Sequence, residues 1–285
     1  MMTRSMCVIL FLTFITAGMI LGIFLQLLQF WNLEKSSGPS PWVSKKQSAF
    51  LHLGLVKPEI LSWSPRIILF RNFLTMEECD YLKTIAEPHL QASQVQDTKT
   101  GKAVTSDART SYGTFLTLGQ TKFSMIQAVE KRIAIFTQIP QENAELLYVI
   151  RYRPTEYYLV HHDYLPEDTI AGLKGGQRVA TMLMYLSNVV EGGETYFPLA
   201  GSGNCSCGGV TVQGLCVKPN KGDALLFWNM GLNGKVDPRS LHSGCPVLKG
   251  EKWTATSWMR QGSARGFWNT KKPWTSEAFK RSYTA

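Results

Sequence analysis

LLYVIRYRP (146–154), EYYLVHHDY (156–164), VATMLMYLS (179–187), GGETYFP (192–198), GLCVKP (214–219), DALLFWN (223–229) and WTATSWMR (253–260) follow one another along the chain. Each segment is short, rich in Val, Thr, Tyr, Trp and Leu, and bounded by Gly, Pro, Asn or Asp, which is the pattern of β-strands and turns. Many such strands at close spacing predict a sandwich, barrel or jelly roll. Upstream, PRIILFRNFL (65–74) reads as a buried strand. TMEECDYLKTIAEPHL (75–90) opens on Thr75 with acidic Glu77 and Glu78, and sets Cys79, Leu82, Ile85 and Ala86 at helical spacing. SMIQAVEKRIAIFTQI (124–139) puts Ile126, Val129, Ile133 and Phe136 on one helical face. The expectation is a mostly β, α+β chain: two flanking helices, then a β-rich body without internal repeats.

The 285 residues carry 44% hydrophobic and 18% charged residues, ordinary for a globular protein, with a formal charge of +9. Part of that charge lies after Gly262, where Arg265, Lys271, Lys272, Lys280 and Arg281 face only Glu277. No zinc-finger, RRM or KH signature accompanies it, so no nucleic-acid partner is expected. The run Cys7–Leu28 has no charged residue over 22 positions, enough for a helix to cross a hydrocarbon core of roughly 30 Å. A cleaved signal peptide is the alternative, but its apolar region spans only about 7–15 residues and ends in a small-residue site. Here the run ends in QFWNLE, and Trp31 suits an interfacial anchor. Lysine and arginine counts around the span favour, slightly, a cytoplasmic body: Arg4 precedes it, and Lys35, Lys45 and Lys46 come after.

The cysteines argue the other way. Cys205, Cys207 and Cys216 fall in GSGNCSCGGVTVQGLC (201–216), a stretch with little core-forming power. Such a loop gains order from disulfides, which persist in oxidising compartments. Structural zinc is the rival, but the paired CxxC spacing is missing. With Cys79 and Cys245 the soluble part has five cysteines, so one stays free or pairs between chains; the connectivity is left open. Asn204-Cys205-Ser206 is a glycosylation sequon in the same loop.

His161-His162-Asp163 ends the strand EYYLV, His242 lies in SLHSGCPV, and Lys252 comes ten residues later. Residues i and i+2 of a strand share a face, so His161 and Asp163 point the same way and His162 points away. Two imidazoles and one carboxylate held on one side of iron(II) leave open positions, the arrangement of non-haem oxygenases. Structural zinc would instead be closed by protein ligands. A 2-oxoglutarate chelating such an iron needs a cation for its far carboxylate. Lys252, placed in an apolar strand flanked by Trp253 and Trp258, would be costly to bury without that partner. H-x-D alone is common on surfaces; the distant His and Lys give it meaning.

With RTSYGTFL (109–116), GGQRVATMLMYLSNVVEGGETYFP, VKPNKGDALLFWN and SLHSGCPVLKGEKW in order, the chain from about Pro58 to Gly262 resembles the plant-type prolyl 4-hydroxylases. The resemblance covers roughly seven-tenths of the chain and implies a double-stranded β-helix (jelly-roll) core. It implies iron(II), 2-oxoglutarate, O2 and L-ascorbate, and a proline-rich polypeptide substrate in polyproline II conformation. It further implies a single-pass type II membrane protein of the endoplasmic reticulum or Golgi with a lumenal catalytic domain, and association with related hydroxylases. The organisation expected is an anchor at 1–31, a stem at 32–57, the dioxygenase domain at 58–262 and a basic tail at 263–285. By the same resemblance His161, Asp163 and His242 match the iron ligands, and Lys252 the lysine that holds the cosubstrate. Tyr152 and Thr195 match further cosubstrate hydroxyls; Glu145, Tyr158, Arg178 and Trp258 match positions lining the peptide groove. The chain departs from the pattern in three places. Arg260 stands where the family commonly has histidine, the Cys-rich insert is longer, and LVHHD lacks the usual proline before the first histidine. A relative acting on lysine or a small molecule, a metal-free polyproline-binding module and a zinc hydrolase are the alternatives.

Overall fold

The structure, a computed structural model, describes residues 51–96, 103–166 and 175–264. The expected anchor, most of the stem and nearly all of the basic tail lie outside the described residues. Among the described residues no helix is long and apolar enough to cross a membrane. The chain divides into two units, Met1–Gly54 and Leu55–Ala285, and every strand and α-helix of the described residues belongs to the second.

The strands of that unit's two larger sheets, in chain order, are β1 (Lys57–Trp63), β2 (Arg66–Arg71), β3 (Gln91–Ala92), β4 (Tyr112–Phe115), β5 (Tyr148–Tyr152) and β6 (Tyr158–His161). Then come β7 (Arg178–Tyr185), β8 (Thr195–Phe197), β9 (Leu215–Val217), β10 (Ala224–Trp228), β11 (His242–Gly244) and β12 (Lys252–Arg260). Eight of them form one sheet in the order β1-β2-β10-β7-β12-β5-β4-β3, and four form a second, β9-β8-β11-β6. The pairings in both sheets are antiparallel. Helices α1 (Met76–Ala86) and α2 (Ser124–Thr137) complete the body. Mostly β, with antiparallel sheets and few helices, the architecture is consistent with a jelly roll.

Alternation along the central strands makes the layers. On β12, Trp253, Ala255 and Met259 join Ala180, Met182 and Met184 of β7 in a core cluster with Leu82 of α1 and Ile126, Val129 and Ile133 of α2. The intervening residues Lys252, Thr254, Thr256 and Trp258 face a cavity on the opposite side. At one end the two sheets close on each other through Leu69, Tyr185, Leu225 and Phe227 against Phe197 and Val217. One sheet therefore has a greasy face toward the helices and a polar, aromatic face toward the cavity, as period-two patterning requires.

The capping box expected from Thr75 is present: Glu78 N donates to Thr75 Oγ1, and Thr75 N donates to the Glu78 carboxylate. That carboxylate also takes two hydrogen bonds from the fully buried Arg132 guanidinium of α2, at 2.7 and 2.9 Å. One acidic residue thus starts α1 and fastens it to α2.

The Cys-rich stretch reads as an irregular loop from its composition, yet it is ordered as strand. Asn204–Cys207 and Val210–Gln213 pair as a hairpin. Cys205 bonds Cys216 of β9, Cys207 bonds Cys245 just past β11, and among the described residues Cys79 is the free, buried thiol. A two-stranded hairpin with exposed Val210 has little apolar area to hold it in place. The covalent links supply what packing does not. Cys207→Ser should lower unfolding stability by roughly 4 kcal/mol, the loop-closure value for a separation of this length. Guanidinium unfolding without reductant measures it; an unchanged midpoint would show the hairpin is held by other contacts.

Candidate active site

Strands β6 and β11 pair so that His161 lies directly across from His242. Each imidazole is oriented by its own backbone: His161 Nδ1 sits 2.8 Å from the carbonyl of Leu159, and His242 Nδ1 2.9 Å from that of Ser240. A carbonyl only accepts, so Nδ1 carries the proton in both rings and each Nε2 keeps a free lone pair. Those Nε2 atoms converge on Asp163, at 3.6 Å from Oδ1 and 3.7 Å from Oδ2. Ligand atoms of the three residues all lie within 4.8 Å of one another. His162 points away, as strand alternation dictates, but it is not idle: Nε2 meets the Pro238 carbonyl at 3.0 Å and the ring stacks on Tyr164. It ties the end of β6 to the turn that leads into His242.

The electrostatics suit a divalent cation. Burial, and then the neighbouring His242, hold His161 down at about 3, and burial likewise lowers His242. Both rings are neutral at physiological pH and free to donate lone pairs. Burial alone would raise the Asp163 carboxyl, but the two imidazoles, Arg178 and the Thr181 hydroxyl outweigh it and hold it ionised, at about 2. Two neutral nitrogens and one carboxylate, with no fourth ligand in the cluster among the described residues, fit an open iron(II) site rather than a closed structural zinc.

Lys252 is 3% exposed, and its side-chain ammonium makes no hydrogen bond or ion pair among the described residues. It stands opposite Tyr152 across the β5–β12 pairing, with Nζ 5.4 Å from the Tyr152 ring. Burial pushes its ammonium down to about 7, with Glu194 opposing. Thr254 Oγ1, two residues along the same face, is buried without a hydrogen-bonding partner. Thr195 also borders this space and holds Tyr185 Oη at 2.8 Å. An orphaned cation and an orphaned hydroxyl, side by side, fit the far carboxylate of a small dianion. The triad, Lys252, Tyr152 and Thr195 line one cavity of about 1510 Å³.

Tyr158, Arg178 and Trp258 line the same cavity. Tyr158 stacks on His161 with centroids 3.6 Å apart, and Arg178 lies 4.2 Å over the Trp258 ring. Glu145 is placed differently. It is buried beneath Arg178, accepting 2.7 and 2.9 Å bonds from that guanidinium and a 2.8 Å bond from Arg260, and it is not a lining residue. Arg260 therefore acts as the second cation on Glu145 and also bonds the Gly176 carbonyl. Simple alternation would turn Arg178 away from Thr181. A register shift between β7 and β12 at Met259/Arg260 restores it to the cavity face. Arg109, in RTSYGTFL, has no role legible in the sequence; its guanidinium lies 4.5 Å over Tyr158 and borders the cavity. An arginine just before a strand has no periodic signature, and only its tyrosine neighbours give it away. Asn204 is exposed on the disulfide-tied hairpin, away from this cavity's lining.

An antiparallel β body that brings two histidines, an aspartate and a solitary lysine into one cavity defines a 2OG-Fe(II) oxygenase, and residues 147–260 match the model of the 2OG-Fe(II) oxygenase superfamily. Prolyl 4-hydroxylase 1 of Arabidopsis thaliana is 55% identical over 269 residues, covering 88% of this chain and 95% of that protein. Probable prolyl 4-hydroxylase 3 of Arabidopsis thaliana is 49% identical over 213 residues, 72% of each chain. Among solved structures, the viral collagen prolyl hydroxylase of Paramecium Bursaria Chlorella virus-1, in its 2OG complex, superposes with a TM-score of 0.52 at 28% identity. That match covers 68% of this chain and 95% of the viral one. The chain belongs to the prolyl 4-hydroxylase family.

Glu145 carries two guanidinium partners in a buried setting. Glu145→Gln should cost roughly 3–5 kcal/mol of stability, because two arginines lose their counter-ion. Urea unfolding tests this; a cost below about 1 kcal/mol, the range of an exposed pair, would show that the cluster is solvated.

Proposed function

We propose that this chain hydroxylates peptidyl proline at C4 in proline-rich polypeptides, consuming 2-oxoglutarate and O2 and releasing succinate and CO2. The carrying observation is the single cavity that joins the His161–Asp163–His242 cluster to the unpartnered Lys252. When bound, iron(II) and 2-oxoglutarate supply the oxygen-activating chemistry, one oxygen atom ending in succinate and the other on proline. The protein's part is positioning. His161, Asp163 and His242 would hold the metal, and Lys252, with the hydroxyls of Tyr152 and Thr195 nearby, would hold the cosubstrate's far carboxylate. Tyr158 and Trp258 give the cavity wall aromatic edges against which pyrrolidine rings can pack, and Arg109 borders the same wall with N–H groups suited to peptide carbonyls. A proline-rich segment is already a polyproline II helix with an unpaired backbone, so it loses little entropy on binding such a surface.

Ascorbate dependence, a jelly roll of double-stranded β-helix type, and an anchored type II topology with the catalytic body in the lumen of the endoplasmic reticulum or Golgi belong to the same reading. So do glycosylation at Asn204 and association with related hydroxylases. The apolar run Cys7–Leu28 supports the anchor, and the two disulfides and the exposed sequon support an oxidising lumen.

Incubation with iron(II), 2-oxoglutarate, ascorbate and a panel of proline-rich peptides tests the activity. Mass spectrometry should find one added oxygen on proline, and His161→Ala or His242→Ala should abolish proline-dependent succinate release. Full turnover in either variant would remove the metal assignment.

Lys252 gives a pH signature. Alone, its ammonium is lost as pH rises through about 7; a bound carboxylate favours the charged form and draws a proton back. Anaerobic 2-oxoglutarate binding should therefore weaken above about pH 7 and take up close to one proton at about pH 8.5, an uptake absent in Lys252→Met. Calorimetry in buffers of different ionisation heat measures this, and equal proton uptake in both proteins would assign the carboxylate to another group.

A further inference from the structure

Asp163 Oδ2 accepts a 2.8 Å hydrogen bond from Thr181 Oγ1 of β7, and Thr181 Oγ1 in turn accepts a 3.0 Å bond from Asn229 Nδ2. Thr181 is 1% exposed and Asn229 is fully buried at the end of β10. A hydroxyl has one proton and a limited set of lone-pair directions. The ionised Asp163 carboxylate can only accept, so the hydroxyl proton lies toward it, and the Asn229 N–H donates to a lone pair of the same oxygen. Asn229 therefore holds the Thr181 hydroxyl in the orientation that donates to Asp163 rather than merely filling space. Its backbone holds the other ligand: the Asn229 carbonyl accepts from Asp237 N at 2.8 Å, the Asp237 carbonyl accepts from Ser240 Oγ at 2.7 Å, and the Ser240 carbonyl faces His242 Nδ1. Hydrogen bonds, linked through the covalent frames of Asn229, Asp237 and Ser240, thus connect Asp163 to His242 by way of Thr181.

We propose that Asn229 and Thr181 are positioning residues for the metal centre: they commit Asp163 Oδ2 to a hydrogen bond, leave Oδ1 as the ligand atom, and lock the Asp163 and His242 segments to each other. This rests on the reading of His161, Asp163 and His242 as metal ligands. Neither residue touches the cosubstrate or peptide in this role; both act through Asp163.

The test uses anaerobic binding of Co(II) to the full chain, monitored by visible absorption, with circular dichroism to confirm folding. Thr181→Val keeps the shape and deletes the hydroxyl; it should weaken Co(II) binding about 10–100-fold, the usual effect of removing a ligand's outer partner. Thr181→Ser, which keeps the donor, should restore near wild-type affinity. Asn229→Ala leaves Thr181 in place and should give a smaller loss in the same direction, so the inference stays testable if the valine variant fails to fold. Unchanged affinity in a folded Thr181→Val or Asn229→Ala protein overturns it, as does a serine variant as weak as the valine one. Failure of the wild-type chain to bind Co(II) is a separate result, which overturns the metal assignment itself.

Discussion

The pairing of β6 with β11 is the constraint on which the site depends. Antiparallel strands hold residues directly opposite each other about 4.5–5.5 Å apart, close enough for two imidazoles to share an ion. His161 and His242 are far apart in sequence, and only this register makes them neighbours. A slip of one residue would turn either histidine to the other face and leave Asp163 with one partner. The devices around the pairing all oppose such a slip. Backbone carbonyls fix both rings, His162 pins the turn before β11, and the Cys207–Cys245 disulfide fastens the chain just beyond His242. The hairpin that supplies Cys207 also donates Gly208 N to Glu194, the carboxylate whose charge supports the Lys252 ammonium.

Burial is what gives the donor set its character. In water a histidine titrates near neutrality and would compete for protons with any metal. Enclosed between the sheets, both rings stay neutral and Asp163 stays charged. The same enclosure makes Lys252 an uncomfortable cation. Nothing among the described side chains pairs with it, whereas Arg132 on Glu78 and the two arginines on Glu145 all have carboxylate partners. Those guanidinium charges are balanced within the fold, whereas the Lys252 ammonium is left for a ligand.

The sequence disclosed what period-two alternation can disclose. H-x-D on a strand places His161 and Asp163 together, and a lysine in an apolar strand asks for a ligand; the helices of Thr75 and Ile126 were legible from caps and spacing. What stayed hidden needs long-range register. Arg178 reaches the cavity only through a bulge, Glu145 is covered because two arginines from other strands fold onto it, and Arg109 is defined by tyrosines distant in sequence. Disulfide partners depend on which strand neighbours the hairpin, so a loop with three cysteines could not announce its pairing. Thr181 and Asn229 look like ordinary strand and strand-end residues; their role exists only relative to Asp163.

Charge balance binds the two ends of the cavity together. Asp163 leaves a divalent metal with one positive charge in excess, and Lys252 adds a second. A dicarboxylate that reached both would cancel them, whereas a monoanion would leave one cation buried and unpaired at a cost of several kcal/mol. Selection for a dianion therefore requires no dedicated sensor. It arises from placing a carboxylate-bearing triad and a lone ammonium in the same desolvated cavity, with the neutral hydroxyls of Thr254 and Thr195 on its wall. Arg178, already balanced by Glu145, adds little to that charge, whereas Arg109, which borders the same cavity without a carboxylate partner among the described residues, strengthens its preference for an anion.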